Sequence, residues 1–179
     1  LPDEQAPSIA DYAEVVTHAL AETVRRHRLE PPRVVVEPGR AIVARAGVAL
    51  YTTGPRKAVP GGTTFLAVDG GMGDNPRPAL YGAGYWAALA ERMTAPPDET
   101  ARVVGRYCES GDVLVQAAAL PRATPGDILA IPVSGAYHLP MASNYNLIAR
   151  PAVVFVHTGQ ARLIRRRETL DDLLRLEVS

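Results

Sequence analysis

The sequence predicts a mainly β protein, a barrel or a sandwich of short strands, preceded by one helix–strand step. Three observations lead to this fold class: several short strand-like segments, glycine and proline residues between them, and one long amphipathic segment near the start. Many short strands separated by turn residues are typical of β-barrels and β-sandwiches. The length of 179 residues fits one domain and a fraction of a second.

The amphipathic segment predicts a helix from about residue 9 to residue 28. Its apolar residues recur at spacings of three and four, which places them on one face of a helix. Ser8 is a suitable N-cap, and Asp11 stands three positions later, as in a capping box. Pro31 and Pro32 follow the helix and end it, because proline has no backbone N–H to donate.

A β-branched run, Val34-Val35-Val36, comes directly after the prolines. Consecutive apolar residues of this kind predict a strand buried on both faces, as in parallel α/β sheets. The helix and this strand together are typical of the last αβ step of an α/β layer or barrel, and one step cannot form a sheet alone. We therefore expect residues 1–42 to be part of such a barrel and residues 43–179 to form the β-domain.

The β-domain alternates strand-like segments with turns rich in glycine and proline. The predicted strands are residues 41–51, 63–68, 102–107, 127–133 and 152–158. A short C-terminal helix is predicted over residues 168–176, with Thr169 or a neighbouring residue as its cap. Lys57, the single lysine of the chain, is predicted to lie in a turn between residues 52 and 62.

Composition excludes several functional classes. The formal net charge is zero, which argues against a nucleic-acid-binding protein. We expect no membrane span and no signal peptide, since no apolar run is long enough and the start is acidic and proline-rich. Cys108 is the only cysteine and the four histidines lack ligand spacing, so we expect no disulfide within the chain and no metal site. These features predict a cytoplasmic protein.

Four clusters combine polar side chains with glycine in a way that suggests chemistry. The first, Glu37-Pro38-Gly39-Arg40, follows the predicted buried strand, and the carboxyl end of a parallel strand is where α/β folds place ligand-binding groups. A turn in which Glu37 pairs with Arg40 explains the same residues equally well.

The second cluster is the glycine-rich stretch from Asp69 to Gly82. Its glycine spacing fits neither a dinucleotide-binding nor a phosphate-loop motif, and a calcium loop would need a glutamate that is absent. Arg77 lies between two prolines and Tyr81 follows four positions later, and both side chains suit an anionic ligand. The alternative is an ordered surface loop with an Arg–Asp pair.

The third and fourth clusters are Cys108-Glu109-Ser110-Gly111-Asp112 and the segment from Ser134 to Tyr137, which Met141 to Asn146 follows. A thiol beside carboxylates is poorly suited to act as a thiolate nucleophile and better suited to donate a proton. Tyr137 suits a phosphate or carboxylate oxygen. The alternatives are a β-turn for the third cluster and ordinary half-buried tyrosines for the fourth.

In this order, the four clusters resemble the diaminopimelate decarboxylases, a branch of the fold-type III, pyridoxal-phosphate-dependent decarboxylases. The EPGR motif is shared with ornithine and arginine decarboxylases, whereas CESGD together with the Arg-Pro-Ala-Leu-Tyr stretch is more specific to this branch. The resemblance covers residues 8–176. It implies a C-terminal, Greek-key-like β-domain of the alanine-racemase and decarboxylase type, attached to a (β/α)8 barrel.

The resemblance also implies an activity and a role for each motif. The reaction would convert meso-2,6-diaminopimelate to L-lysine and CO2 with pyridoxal 5'-phosphate, and Cys108 would donate the proton that replaces CO2. The cofactor-binding residues would be Glu37, at the pyridine nitrogen, with Pro38, Gly39, Arg40 and Tyr137. The substrate-binding residues would be Arg40, Arg77, Tyr81, Glu109 and Tyr137. Cys108 and Glu109 would enter the active site of the partner subunit in a homodimer.

The Schiff-base lysine of this family lies in the barrel, so the resemblance predicts that the 179-residue chain alone is inactive. Two alternatives remain open. One is a related fold-type III decarboxylase with another substrate, and the other is a non-catalytic β-domain that binds a partner or regulates it. A carboxylate at Glu109 favours a substrate with a distal amino group. Cys108, Glu109, Arg77 and Tyr81 occurring together argue against a binding-only domain.

Overall fold

The computed structural model describes residues 6–178, which divide into two compact units on either side of the Pro38–Gly39 bond. The α-helices are α1 (Ile9–His27), α2 (Arg40–Val43), α3 (Arg77–Tyr81), α4 (His138–Met141) and α5 (Leu170–Leu174). The strands are β1 (Val48–Ala58), β2 (Thr64–Val68), β3 (Ala88–Leu89), β4 (Glu99–Val104), β5 (Val113–Leu120), β6 (Ile128–Pro132), β7 (Val153–His157) and β8 (Gln160–Arg165). Short 3-10 turns occupy Ala44–Ala46, Ala90–Arg92 and Tyr145–Leu147. None of the helices within residues 6–178 is long and apolar enough to cross a membrane.

Helix α1 of the first unit confirms the predicted helix and its cap. The Ser8 hydroxyl accepts a hydrogen bond from the Asp11 N–H at 3.1 Å, and the Asp11 carboxylate accepts one from the Ser8 N–H at 2.7 Å. The helix ends at His27, followed by Arg28 in the left-handed region with φ of 53°. No residue of α1 is buried. Its apolar stripe therefore has no core to pack against within this unit.

The strand predicted at residues 33–36 is not formed. Residues 29–39 have no regular secondary structure, and Val34, Val35 and Val36 are 50%, 74% and 79% exposed. A strand of a parallel sheet needs neighbouring strands to pair with its N–H and C=O groups. The described part of this unit contains no other strand, so the prediction of a buried strand was wrong for this chain.

The second unit is built on a six-stranded sheet and confirms the mainly β prediction. The strand order is β3-β6-β1-β2-β4-β5, with β2 and β4 parallel and the other neighbours antiparallel. The edge strands β3 and β5 approach each other within 8 Å between Cα atoms, so the sheet curls towards a barrel. Its inner face carries the core, whose largest fully buried apolar side chains are Leu66, Leu89, Val103, Leu114, Leu120, Leu129 and Ile131.

The region from residue 41 to residue 58 departs from the predicted pattern in two ways. The first half of the predicted strand at residues 41–51 is helical, because α2 and a 3-10 turn precede β1. The carbonyl of Ala44 accepts a hydrogen bond from the Gly135 N–H at 3.0 Å, and this tertiary contact holds the turn. Lys57 lies in β1 opposite Phe65 and not in a turn.

A two-stranded sheet of β7 and β8 completes the second unit, and Glu168, which follows β8, is bonded to the segment that precedes β7. The Glu168 carboxylate accepts hydrogen bonds from the Arg150 side chain, the Arg150 N–H at 2.9 Å and the Asn144 side-chain amide. Helix α5 follows with the predicted cap at Thr169, whose hydroxyl accepts a hydrogen bond from the Asp172 N–H. The hydrogen bonds from Arg150 and Asn144 lower the pKa of Glu168 to about 2.

We expect the Glu168 cluster to make the second unit sensitive to acid. A carboxyl whose folded pKa is below its unfolded value of 4.5 stabilises the fold above pH 4.5, and that stabilisation is lost as the pH falls towards 2. In Glu168→Gln, the decrease in the free energy of unfolding between pH 6 and pH 3 should be smaller than in the wild type by on the order of 1–2 kcal/mol. Urea unfolding at both pH values measures it. An equal decrease in both proteins would contradict this role of Glu168.

Candidate functional site

Asp112 joins two loops that carry predicted site residues: the glycine loop (residues 69–76) and the thiol loop (residues 105–112). Its carboxylate accepts hydrogen bonds from the Met72 N–H at 2.7 Å and from the Tyr107 N–H at 2.8 Å, and the residue is 3% exposed. A Cβ atom at Gly71 or Gly105 would lie within 2.5 Å of the Asp112 carboxylate oxygens, so only glycine leaves room for it. Burial raises the pKa of Asp112 although both N–H groups favour the charged form.

A second carboxylate, Asp74, fixes the glycine loop from inside. It accepts a hydrogen bond from the Tyr51 hydroxyl at 2.5 Å and another from the Gly71 N–H at 2.9 Å. Burial raises the pKa of Asp74, and burial together with this carboxylate raises the pKa of Tyr51. The Arg106 N–H also donates to the Gly70 carbonyl at 3.0 Å, so the two loops are joined through their backbones as well.

The thiol loop presents Cys108 and Glu109 to solvent. Both side chains are exposed, and Glu109 is held by a hydrogen bond from the hydroxyl of Tyr145. The Tyr145 ring stacks on Tyr107 with centroids 5.9 Å apart and planes 22° apart. The loop is a turn, as composition suggested, and the turn leaves both the thiol and the carboxylate exposed to solvent.

Helix α3 carries Arg77 and Tyr81. The Arg77 guanidinium carbon lies 5.2 Å from the centroid of the Tyr137 ring, and Nη1 donates to the Tyr85 hydroxyl at 3.4 Å. Among residues 6–178 no ion pair joins Arg77 to a carboxylate, so the Arg–Asp alternative is not formed. Tyr81 is 66% exposed, which leaves its phenol open to a ligand.

Tyr137 is half-exposed and adopts a left-handed backbone with φ of 68°. Such a conformation is uncommon for a non-glycine residue and occurs where surrounding structure enforces it. The Ser134 N–H donates to the Gly47 carbonyl at 2.9 Å, and this bond ties the segment that bears Tyr137 to the chain following α2. Arg40 is exposed at the start of α2, and Glu37 and Pro38 are exposed in the first unit.

The structure thus brings together part of the predicted site. The glycine loop also accepts a hydrogen bond at the Gly73 carbonyl from the Ser143 N–H at 2.8 Å, so three of the four clusters are joined by hydrogen bonds. Arg77 meets Tyr137 directly, and Glu109 meets Tyr145, a residue of the fourth cluster. The structure shows no such contact for Tyr81.

Sequence reasoning missed four residues that organise this site. They are Asp112, which joins the two loops, Tyr145, which donates a hydrogen bond to Glu109, and the contacting pair Tyr85 and His138. Asp112 had no usable signal for this role, because Met72, one of its two donors, lies 40 positions away in the chain. The others had no signal in the sequence, because their partners lie 8 to 53 positions away.

The comparisons with known proteins decide the family. The family model for pyridoxal-dependent decarboxylases, C-terminal sheet domain, matches residues 34–135. The chain belongs to this family. Two relatives of this decarboxylase domain are diaminopimelate decarboxylases: the one from Synechocystis sp. is 49% identical over 96% of the chain, and the one from Bacillus subtilis is 46% identical over 98%. The chain spans 37% and 40% of these relatives' lengths.

A solved structure supports the same assignment of the fold. This decarboxylase domain superposes with a TM-score of 0.85 on the crystal structure of a diaminopimelate decarboxylase. That enzyme is from M. jannaschii and was solved in co-complex with L-lysine. The identity is 34%, and the match covers 99% of this chain and 40% of that one. The predicted β-domain of the decarboxylase type is therefore confirmed.

Proposed function

We propose that this chain is the C-terminal part of a diaminopimelate decarboxylase, which converts meso-2,6-diaminopimelate to L-lysine and CO2. The observation that carries the proposal is the joining of the glycine loop, the thiol loop and the segment at residues 134–146 by hydrogen bonds. This arrangement collects Arg77, Tyr137, Cys108 and Glu109 on connected loops. The names of the relatives and the L-lysine in the M. jannaschii structure support the same substrate class.

The charges of these residues suit the distal end of such a substrate. Meso-diaminopimelate carries an ammonium and a carboxylate at each end. Arg77, with Arg40 and Tyr81, binds the distal carboxylate, for which a guanidinium offers two parallel hydrogen bonds. Glu109 binds the distal ammonium with its exposed carboxylate. A substrate without the distal amino group would not pair with Glu109, which would keep only its hydrogen bond from Tyr145.

In the second unit, Gly39, Arg40 and Tyr137 suit one side of a pyridoxal phosphate site. A Cβ atom at Gly39 would meet nothing within 4 Å, so the backbone there is open to a bulky group, and the Tyr137 side chain is 45% exposed. Glu37 would accept a hydrogen bond from the protonated pyridine nitrogen and keep the ring protonated, and Pro38, Gly39, Arg40 and Tyr137 would line the cofactor. When bound, the cofactor withdraws electrons from the substrate carbon that loses CO2. The anchoring lysine is not supplied by Lys57, which lies in β1.

Cys108 donates the proton that replaces CO2. Its thiol is exposed at the tip of a loop fixed by Asp112, so it can approach a carbon held by another part of the enzyme. A positioned proton donor contributes about 10²–10⁴ in rate. Cys108 and Glu109 act in the active site of the partner subunit of a homodimer, which explains why two chemically important side chains point away from their own chain's core.

Decarboxylation by the full-length protein tests this proposal. With pyridoxal phosphate, we expect the full-length protein to release CO2 from meso-diaminopimelate at least about 100-fold faster, in kcat/KM, than from ornithine or arginine, because those substrates lack the distal carboxylate. The 179-residue chain under the same conditions should release none, since the covalent anchor for the cofactor is missing. Preference for another amino acid, or catalysis by the chain alone, would contradict the proposal.

A further inference from the structure

Behind Arg77 lies a pair of residues that no predicted role includes, Tyr85 and His138. The Tyr85 hydroxyl accepts the hydrogen bond from Arg77 Nη1 at 3.4 Å, and it lies 3.2 Å from His138 Nε2. The Tyr85 and His138 rings meet edge to face, with centroids 5.5 Å apart and an interplanar angle of 73°. Three side chains from separate segments therefore form one connected row.

The proton positions in this row follow from the chemistry of the three groups. A guanidinium can only donate, so the Tyr85 oxygen is the acceptor towards Arg77. The hydroxyl hydrogen is then available to His138, and a half-buried hydroxyl uses its donor where an acceptor is in reach. His138 is 8% exposed, and burial together with the charge of Arg77 lowers its pKa to about 4. At neutral pH the imidazole is uncharged, and its Nε2 can accept the hydrogen bond.

Only neutral groups thus hold Arg77. The face of Tyr137 and the hydroxyl of Tyr85 orient the guanidinium, and no carboxylate of residues 6–178 pairs with it. A guanidinium fixed in this way keeps its full charge for an incoming anion. A partner aspartate in place of Tyr85 would instead neutralise it before the ligand arrived.

The buried end of the row also fixes Tyr137. His138 directly follows Tyr137 and begins α4, so its anchored ring holds the backbone at the point where Tyr137 adopts a positive φ. Loss of the row should then disturb both the guanidinium and the aromatic face beneath it.

We propose that Tyr85 and His138 are positioning residues that hold Arg77 and Tyr137 in the orientation that receives the distal carboxylate of the substrate. This inference rests on the proposed function, since it takes that carboxylate as the ligand of Arg77. The pair does not touch the reacting carbon, so its loss should weaken binding of the carboxylate more than it slows the chemical step.

Tyr85→Phe in the full-length holoenzyme tests the inference. We expect the KM for meso-diaminopimelate to rise about tenfold while kcat stays within about threefold, because a hydrogen bond to a charged binding group is lost. Tyr12 of α1 supplies a matched control: Tyr12→Phe removes the same hydroxyl and should change neither constant, because Arg77 has its hydrogen bond with Tyr85 and not with Tyr12. His138→Leu should reproduce the effect of Tyr85→Phe, whereas His138→Gln, which retains an acceptor, should restore most of the affinity.

Two ligands separate a positioning role from general damage and from failure of the proposed function. L-Lysine carries a carboxylate, and cadaverine is the same chain without it. Calorimetric titration of Tyr85→Phe should show binding of L-lysine weakened about tenfold and binding of cadaverine unchanged. Equal weakening of the binding of both ligands would overturn the inference. Kinetic constants of Tyr85→Phe that match those of Tyr12→Phe would overturn it as well. An inactive wild type would contradict the proposed function, while the two titrations would still decide the role of Tyr85.

Discussion

Replacement of Cys108 by alanine in the full-length enzyme should lower kcat by about 10²–10⁴ and change the KM for meso-diaminopimelate by less than about threefold. The thiol is exposed on a loop that Asp112 fixes, and no hydrogen bond of the described structure depends on it. Its loss would therefore remove the proposed proton donor without disturbing the residues proposed to bind substrate. Steady-state kinetics with meso-diaminopimelate measures both constants.

The same loop supplies the control for this prediction. Ser110 is exposed two positions from Cys108, and Ser110→Ala removes a polar atom of similar size from the same turn. We expect this variant to keep kcat within about twofold. Unchanged turnover in Cys108→Ala would remove the thiol from the mechanism, and an equal decrease in both variants would show that the loop and not the thiol matters.

Replacement of Asp112 by alanine should lower the free energy of unfolding by about 2–5 kcal/mol. The change leaves the Met72 and Tyr107 N–H groups without acceptors in a buried place, and each such group costs about 1–3 kcal/mol. It also removes the tie between the glycine loop and the thiol loop. Asp112→Asn retains one acceptor oxygen and should lose less. Urea unfolding with an unchanged m-value measures the difference.

Asp98 is the matched control for Asp112. It is exposed and accepts one backbone hydrogen bond, from the Arg122 N–H at 3.2 Å. Asp98→Ala should therefore cost less than about 1 kcal/mol, because water replaces the lost partner. A loss in Asp112→Ala no larger than that in Asp98→Ala would show that burial gives the Asp112 bonds no special weight.

Local signals in the sequence predicted those elements whose stabilising groups are close in the chain. The capping box of α1 joins residues three positions apart, and Thr169 caps α5 in the same way. Strand β5 was missed because its end is rich in alanine, which favours helices. It is a strand because β4 pairs with it and because Leu114 and Leu120 enter the core. Tertiary contacts overrode local preference at this position.

The candidate site shows the same difference between local signals and tertiary contacts. Cys108, Glu109, Arg77 and Tyr137 were predicted from motifs, and the structure supplies contacts for three of them: Glu109 with Tyr145, and Arg77 with Tyr137. The supporting residues could not be read from the sequence, because Asp112 and Met72 are 40 positions apart and Tyr85 and His138 are 53 apart. Their roles exist only once the sheet has brought the loops together.

By itself the sequence determined the family, the mainly β class, the first helix with its cap and the residue types available for chemistry. The tertiary structure decided three further points: Val34 to Val36 form no strand, the chain around Ala44 turns before β1, and a buried carboxylate joins the two loops. The physical reason is the range of the forces involved. Helix caps and turns are satisfied by near neighbours, whereas a strand needs partner strands and a buried polar group needs donors that distant segments supply.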